Sequence, residues 1–180
     1  MSAAVLVLYA HPRPELSRVN QAMAEAVREL DRVTVRDLYA LYPDYEIDVG
    51  AEQKLLSEAD LLVLHHPLQW YSGPPILKEW IDRVLERGWA YGHGGTALRG
   101  KRVLSAVSTG GKLEAYQREG FHGYTVSDFL RPYVRTATLC GIGLPCRKWS
   151  KPRVRIGPLL NGEWDAASAI YGRADHREAA

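Results

Sequence analysis

"ADLLVLHHPLQWYSGPPILKEWIDRV", residues 59–84, decides the fold. Its first half is apolar on every position from Leu61 to Leu64, as in a strand buried on both faces of a parallel sheet. Its second half changes period. Pro75 suits a first helical turn, and Ile76, Leu77, Trp80, Ile81, Val84 and Leu85 then fall on one helical face, with Gly88 as the stop. Between the two lies a proline-stiffened loop holding Gln69, Trp70 and Tyr71. A buried strand, a polar-aromatic loop and an amphipathic helix form one half of a strand–helix–strand unit.

The same alternation recurs outward from this stretch. Residues 3–10, 33–37 and 101–109 read as further strands. After Ser17, taken as an N-cap, Val19, Met23, Ala26, Val27 and Leu30 form a helical stripe. Residues 51–59 read as a shorter helix, and 126–139 as a later one that Pro132 kinks or restarts. The expected fold is α/β: a doubly wound parallel sheet with helices on both faces, in flavodoxin-like order.

Composition sets the outer limits. A chain of 180 residues with 46% apolar and 24% charged residues suits one soluble domain. The formal charge of +2 implies neither a nucleic acid nor an anionic membrane as partner. Cys140 and Cys146 fit no zinc spacing and are too few for a disulfide framework, which favours a cytoplasmic setting. No apolar run is long enough to span a membrane. Adjacent His65 and His66 point to opposite faces of a strand, no HxxxH or HxH pair occurs, and no metal site is expected.

In such sheets ligands bind beyond the carboxyl ends of the strands, which singles out three loops. "HPRPELSRVNQAM" (11–23) has no GxGxxG and no Walker lysine, but Ser17, Arg18 and Asn20 surround a helix start able to hold a phosphate. A capped helix that binds nothing is the commoner meaning of such a start. "PLQWYSGPP" (67–75) offers flat aromatic faces and an amide, fitted to a heteroaromatic ring or equally to core packing. "STGGKLEAYQREGFHG" (108–123) places Gly110 and Gly111 after a buried strand, with Tyr116 and His122 as proton or hydrogen-bond donors. A plain glycine turn also fits "TGG".

Together, "YAHPRPELSRVN", "HPLQWYSGPPILKEWIDRV", "GWAYGHGGTALRGK" and "STGGKLEAY" resemble, in order, the signature loops of the flavin-dependent NAD(P)H:quinone reductases. "DLYALYPDYEIDVGAEQ" (37–53) resembles the branch that serves as ancillary flavoprotein of the glutathione-regulated potassium-efflux system. The resemblance covers about residues 4–144. It implies FMN, with FAD possible, held by His11, Ser17, Arg18, Val19 and Asn20 at its phosphate and ribityl side. Leu68, Gln69, Trp70 and Tyr71 would border the ring, and Ser108, Thr109, Gly110 and Gly111 would supply donors to its edge.

It further implies that Tyr116 and His122 act in hydride transfer from NAD(P)H to quinones by a ping-pong route. Tyr91 and His93 would reach the active site of a partner subunit in a homodimer. A regulatory subunit docked on a potassium–proton antiporter, peripheral to the inner membrane, is the second expectation. A flavodoxin-type electron carrier is a third, disfavoured because such carriers are usually strongly acidic. Residues 1–145 are thus expected to form the flavin-binding domain and 146–180 its divergent tail. That tail carries five cations and no acid at 147–155, and its residues 164–171 read as barely two helical turns.

Overall fold

The computed structural model describes residues 3–144 and the backbone of a strand at 169–173. Five parallel strands make one sheet: β1 (Val5–Tyr9), β2 (Val33–Asp37), β3 (Leu61–Pro67), β4 (Arg102–Thr109) and β5 (Ala169–Arg173), in the order β2-β1-β3-β4-β5. Helices alternate with them: α1 (Val19–Arg28), α2 (Leu38–Leu41), α3 (Val49–Glu58), α4 (Pro75–Val84), α5 (Val126–Phe129) and α6 (Arg131–Leu139). This is the doubly wound order expected from the sequence.

Strands β1 and β3 are buried along their whole length because both faces of the sheet are covered, whereas the edge strand β2 is only partly buried. Alternate side chains enter separate cores, as the two-residue period requires. Leu6, Leu8, Leu62 and Leu64 pack with Leu38, Leu56, Ile76, Leu77, Trp80 and Val84. Val5, Val7, Leu61, Val63, Leu104 and Ala106 pack on the other side with Val27. A third cluster, Leu68, Val107, Tyr116, Val126 and Leu130, lies at the carboxyl ends of β3 and β4, directly under the candidate loops.

Helix α4 buries the predicted face, and Glu52 of α3 anchors it. That carboxylate is fully buried and accepts from Trp80 Nε1 at 2.9 Å, Tyr42 Oη at 2.7 Å, Arg36 Nη2 at 2.6 Å and Arg36 Nε at 3.0 Å. Four donors aimed at two oxygens offset the cost of burying the charge. Within the 37–53 segment, Leu38, Tyr42 and Ile47 are buried core and Glu52 is the anchor.

Several expectations are corrected. Arg18, rather than Ser17, directly precedes α1, and Ser17 Oγ instead accepts from Gln21 N at 3.2 Å. The buried face of α1 is Asn20, Ala24 and Val27, with Ala26 and Leu30 exposed, because Asn20 is drawn inward to Ser108. Helix α4 ends at Val84, whose carbonyl accepts from Gln53 Nε2 at 3.0 Å. Gly88, at φ +90°, forms the turn beyond it, its N–H donating to Tyr91 O at 2.8 Å. Residues 169–173 form strand β5, not part of a helix, because they extend the sheet beside Ser105–Thr109 of β4. The basic run at 147–155 lies outside the described residues.

The restart at Pro132 is real: α5 closes at Phe129, and α6 begins at Arg131 with the proline in its first turn. His65 and His66 do face opposite ways. His65 edges onto Tyr9 at 5.4 Å, and His66 onto Tyr133 of α6 at 5.5 Å. Among the described residues no helix is long and apolar enough to cross a membrane, and no group of three or more His, Cys, Asp or Glu is placed to hold a metal ion.

Candidate active site

The three loops converge where the parallel register ends, at Pro67 opposite Ser108. From β1, His11 is buried, and its Nδ1 accepts from Arg13 N at 3.2 Å. Burial lowers its pKa, which favours the neutral ring. A single 3-10 turn, Pro14–Leu16, then delivers buried Ser17 and the start of α1. The N–H groups of Val19 and Asn20, in the first turn, have no intrahelical acceptor by helix geometry. Arg18 is exposed beside them.

Asn20 joins two of the loops. Its Nδ2 donates to Ser108 Oγ at 2.6 Å, while its buried Oδ1 has no partner among the described residues. A buried amide oxygen left over in this way is suited to a ligand hydroxyl.

From β3, Leu68 N donates to Ser108 O at 2.7 Å, tying the second loop to the third. Gln69 and Ser72 then exchange backbone hydrogen bonds of 2.9 and 3.0 Å across a two-residue turn. Trp70 and Tyr71 fill it at φ +49° and +67°, a left-handed pair normally given to Asn-Gly. Trp70 is 94% exposed, so no core packing holds it in this strained position.

From β4, Thr109 Oγ1 donates to Gly111 O at 3.1 Å. Gly111 leaves room for Tyr116: a Cβ there would meet the Tyr116 ring at 3.1 Å. A 3-10 turn, Leu113–Tyr116, buries that ring, and His122 N donates back to Ala115 O at 3.0 Å. The result is an aromatic cluster. His122 stacks on Tyr116 at 4.3 Å and 32°, and the Tyr71 hydroxyl lies 3.3 Å from His122 Nδ1. Which of those two donates follows from the imidazole tautomer.

The structure thus brings together His11, Ser17, Asn20, Leu68, Gln69, Trp70, Tyr71, Ser108, Thr109, Gly111, Tyr116 and His122 around the carboxyl ends of β1, β3 and β4. Tyr91 and His93 stand apart. Tyr91 packs on the core beneath α4, His93 is exposed, and the ring contacts of the cluster include neither. Phe129 was not foreseen as a site residue. It lies 5.0 Å from Tyr71 and 6.2 Å from Tyr116, and the sequence placed it only within the helix expected at 126–139.

An open doubly wound sheet with three loops at its carboxyl edge defines a ligand-binding α/β protein. Residues 3–144 match the family described by its flavodoxin-like fold, and the chain belongs to that family. A structure described as the thermophilic tryptophan halogenase Th-Hal from Streptomycin violaceusniger is 51% identical, with TM-score 0.75, over 76% of this chain and 80% of its own. General stress protein 14 from Treponema denticola, in complex with FMN, is 45% identical at TM-score 0.75, over 77% and 80%. An NADPH-quinone reductase from P. pentosaceus is 33% identical at TM-score 0.70, over 77% and 79%. These relatives share the fold under differing descriptions, as one fold can carry several functions.

Proposed function

We propose that this protein is an FMN-dependent NAD(P)H:quinone oxidoreductase. The observation that carries the reading is the Tyr71–His122–Tyr116 cluster beside the exposed, strained Trp70 turn, at the ligand-binding edge of the sheet. The FMN complex of the Treponema denticola relative and the quinone reductase from P. pentosaceus support it. The residues present fit a flavin: the leftover Asn20 Oδ1 suits a ribityl hydroxyl, and the α1 start with Arg18 suits the phosphate. Leu68, Gln69, Trp70 and Tyr71 would border the ring, and the backbone around Ser108, Thr109, Gly110 and Gly111 its polar edge.

Bound flavin supplies a ring that accepts a hydride from a nicotinamide and passes two electrons to a second substrate at the same face. The chain's own residues position and stabilise. Tyr116 and His122 offer a phenol and an imidazole to the negative charge that develops on the ring's carbonyl edge. Their stacked geometry fixes both rings before substrate arrives. Donor and quinone use one site in turn, a ping-pong order. Tyr91 and His93, away from their own chain's cluster, would complete the site of a partner subunit in a homodimer. Docking on a potassium–proton antiporter stays an extension of this reading, resting on the resemblance of residues 37–53.

The test is the absorption spectrum of the purified protein loaded with FMN. Bleaching by NADPH and recovery with menadione is the expected result. A protein that takes up no FMN overturns the reading.

A further inference from the structure

A cleft of about 360 Å3 opens beside the aromatic cluster, lined by Arg118, Gly123, Tyr124, Asp128, Phe129 and Arg131. Phe129 is the wall it shares with the site, since the same ring packs on Tyr71 and Tyr116. The cluster and the cleft therefore meet at Phe129.

The charges of the cleft are unequal in their commitments. Asp128 accepts from Thr125 N at 3.0 Å and Thr125 Oγ1 at 2.7 Å as part of a capping box. It also accepts from Arg131 Nη2 at 2.6 Å. The Thr125 hydrogen bonds first, and Arg131 after them, hold its carboxyl down at about 2, so it stays charged and balances Arg131. Arg118 has no ion pair or hydrogen bond among the described residues, and one positive charge on the rim is uncompensated. Beside it Tyr124, largely exposed, and Phe129 present two rings 5.9 Å apart at 57°.

Flat ring faces next to an unpaired guanidinium suit a base that carries a phosphate nearby. We propose that this cleft takes the adenosine 2′-phosphate end of NADPH, with Arg118 as the principal phosphate contact and Arg131 beside it. The enzyme would then favour NADPH over NADH. The proposal rests on the oxidoreductase reading and adds which donor is used and what recognises it.

The experiment compares 2′,5′-ADP with 5′-ADP by calorimetry on the FMN-loaded protein, wild type and Arg118→Gln. It also compares kcat/KM for NADPH and NADH. Wild type should bind 2′,5′-ADP about tenfold or more tightly than 5′-ADP, the scale of one charge-assisted contact. Arg118→Gln should bring the two nucleotides to near-equal affinity and lower the NADPH/NADH ratio of kcat/KM by a similar factor. Raising salt should shrink the wild-type preference, because both guanidiniums are exposed.

Equal binding of the two nucleotides by wild type overturns the proposal. So does a loss in Arg118→Gln that falls equally on both, which would place Arg118 on the pyrophosphate. Selective 2′,5′-ADP binding without NADPH bleaching would sink the oxidoreductase reading and leave the cleft's chemistry standing. Bleaching by NADPH and NADH alike, with no nucleotide preference, would do the reverse.

Discussion

At Trp70 and Tyr71 the backbone holds two bulky side chains in the left-handed region, where each costs about 1–2 kcal/mol relative to an ordinary conformation. Trp70 gains nothing from packing in return, being almost fully exposed. Trp70→Gly should therefore stabilise the flavin-free protein by roughly 0.5–1 kcal/mol, the relieved strain less glycine's greater chain entropy. The same change should weaken FMN binding, because the ring is lost. Urea unfolding of the flavin-free protein and an FMN titration measure the two effects, and a destabilised variant would remove the strain argument. At Tyr116 and His122 the expectation is different. Tyr116→Phe with His122→Gln should slow flavin reduction by about 10²-fold, within the range of positioned proton and hydrogen-bond donors. FMN should remain bound, since both changes keep volume near the ring. Stopped-flow rates equal to wild type would take the catalytic role from this pair.

Between elements, the second loop is seated on α6 by a contact that only glycine allows. A Cβ at Gly73 would lie 2.1 Å from the Tyr133 hydroxyl and 3.3 Å from the His66 ring. A phenol on a packed ring cannot step aside as a flexible chain end would. Gly73→Ala should cost roughly 1–3 kcal/mol as overpacking and loosen the Trp70 turn, and Tyr133→Phe in the same chain should recover part of that loss. Thermal melts of the two single variants and the double variant give the coupling. How much of this was legible varies with the source of the signal. Strands β1 and β3 announced themselves as apolar runs, β4 as a stretch of valine, leucine and alanine broken by serines, and α4 by its stripe. The carboxyl-end rule then located Tyr71, Tyr116 and His122 before any contact was known. Glu52 was illegible: a carboxylate in a helix looks solvated until Arg36, Tyr42 and Trp80 arrive from three other places in the chain. Phe129 and Arg118 were hidden for the same reason, since only tertiary packing sets them around one cleft. The face of α1 was misread because Asn20, a polar residue, turns inward to Ser108.

Across the whole molecule, the sheet buries two adjacent imidazoles near the carboxyl end of its central strand β3, and this makes stability depend on pH. Burial pushes His65 down to about 4, with the neighbouring His66 and His11 adding to it. Burial likewise pushes His66 to about 4, against the opposing effect of its contact with the Pro67 carbonyl. Both rings are thus neutral in the fold at pH 5, whereas an unfolded histidine titrates near 6.5. Between those values the unfolded chain binds protons that the fold excludes. Stability is therefore flat above about pH 6.5 and falls as pH drops from there toward 4. Linkage gives roughly 2 kcal/mol lost per histidine by pH 5. Asp128 acts in the same direction only at lower pH, as its stabilising charge is lost on the way down to about 2. Urea unfolding at pH 7, 6 and 5 measures the slope, and His65→Gln with His66→Gln in one chain identifies its source. The double variant should lose at least half of the wild-type slope between pH 7 and 5, whatever its absolute stability. An unchanged slope would mean that other groups take up the protons, and that the strand-end histidines are not what limits this protein in mild acid.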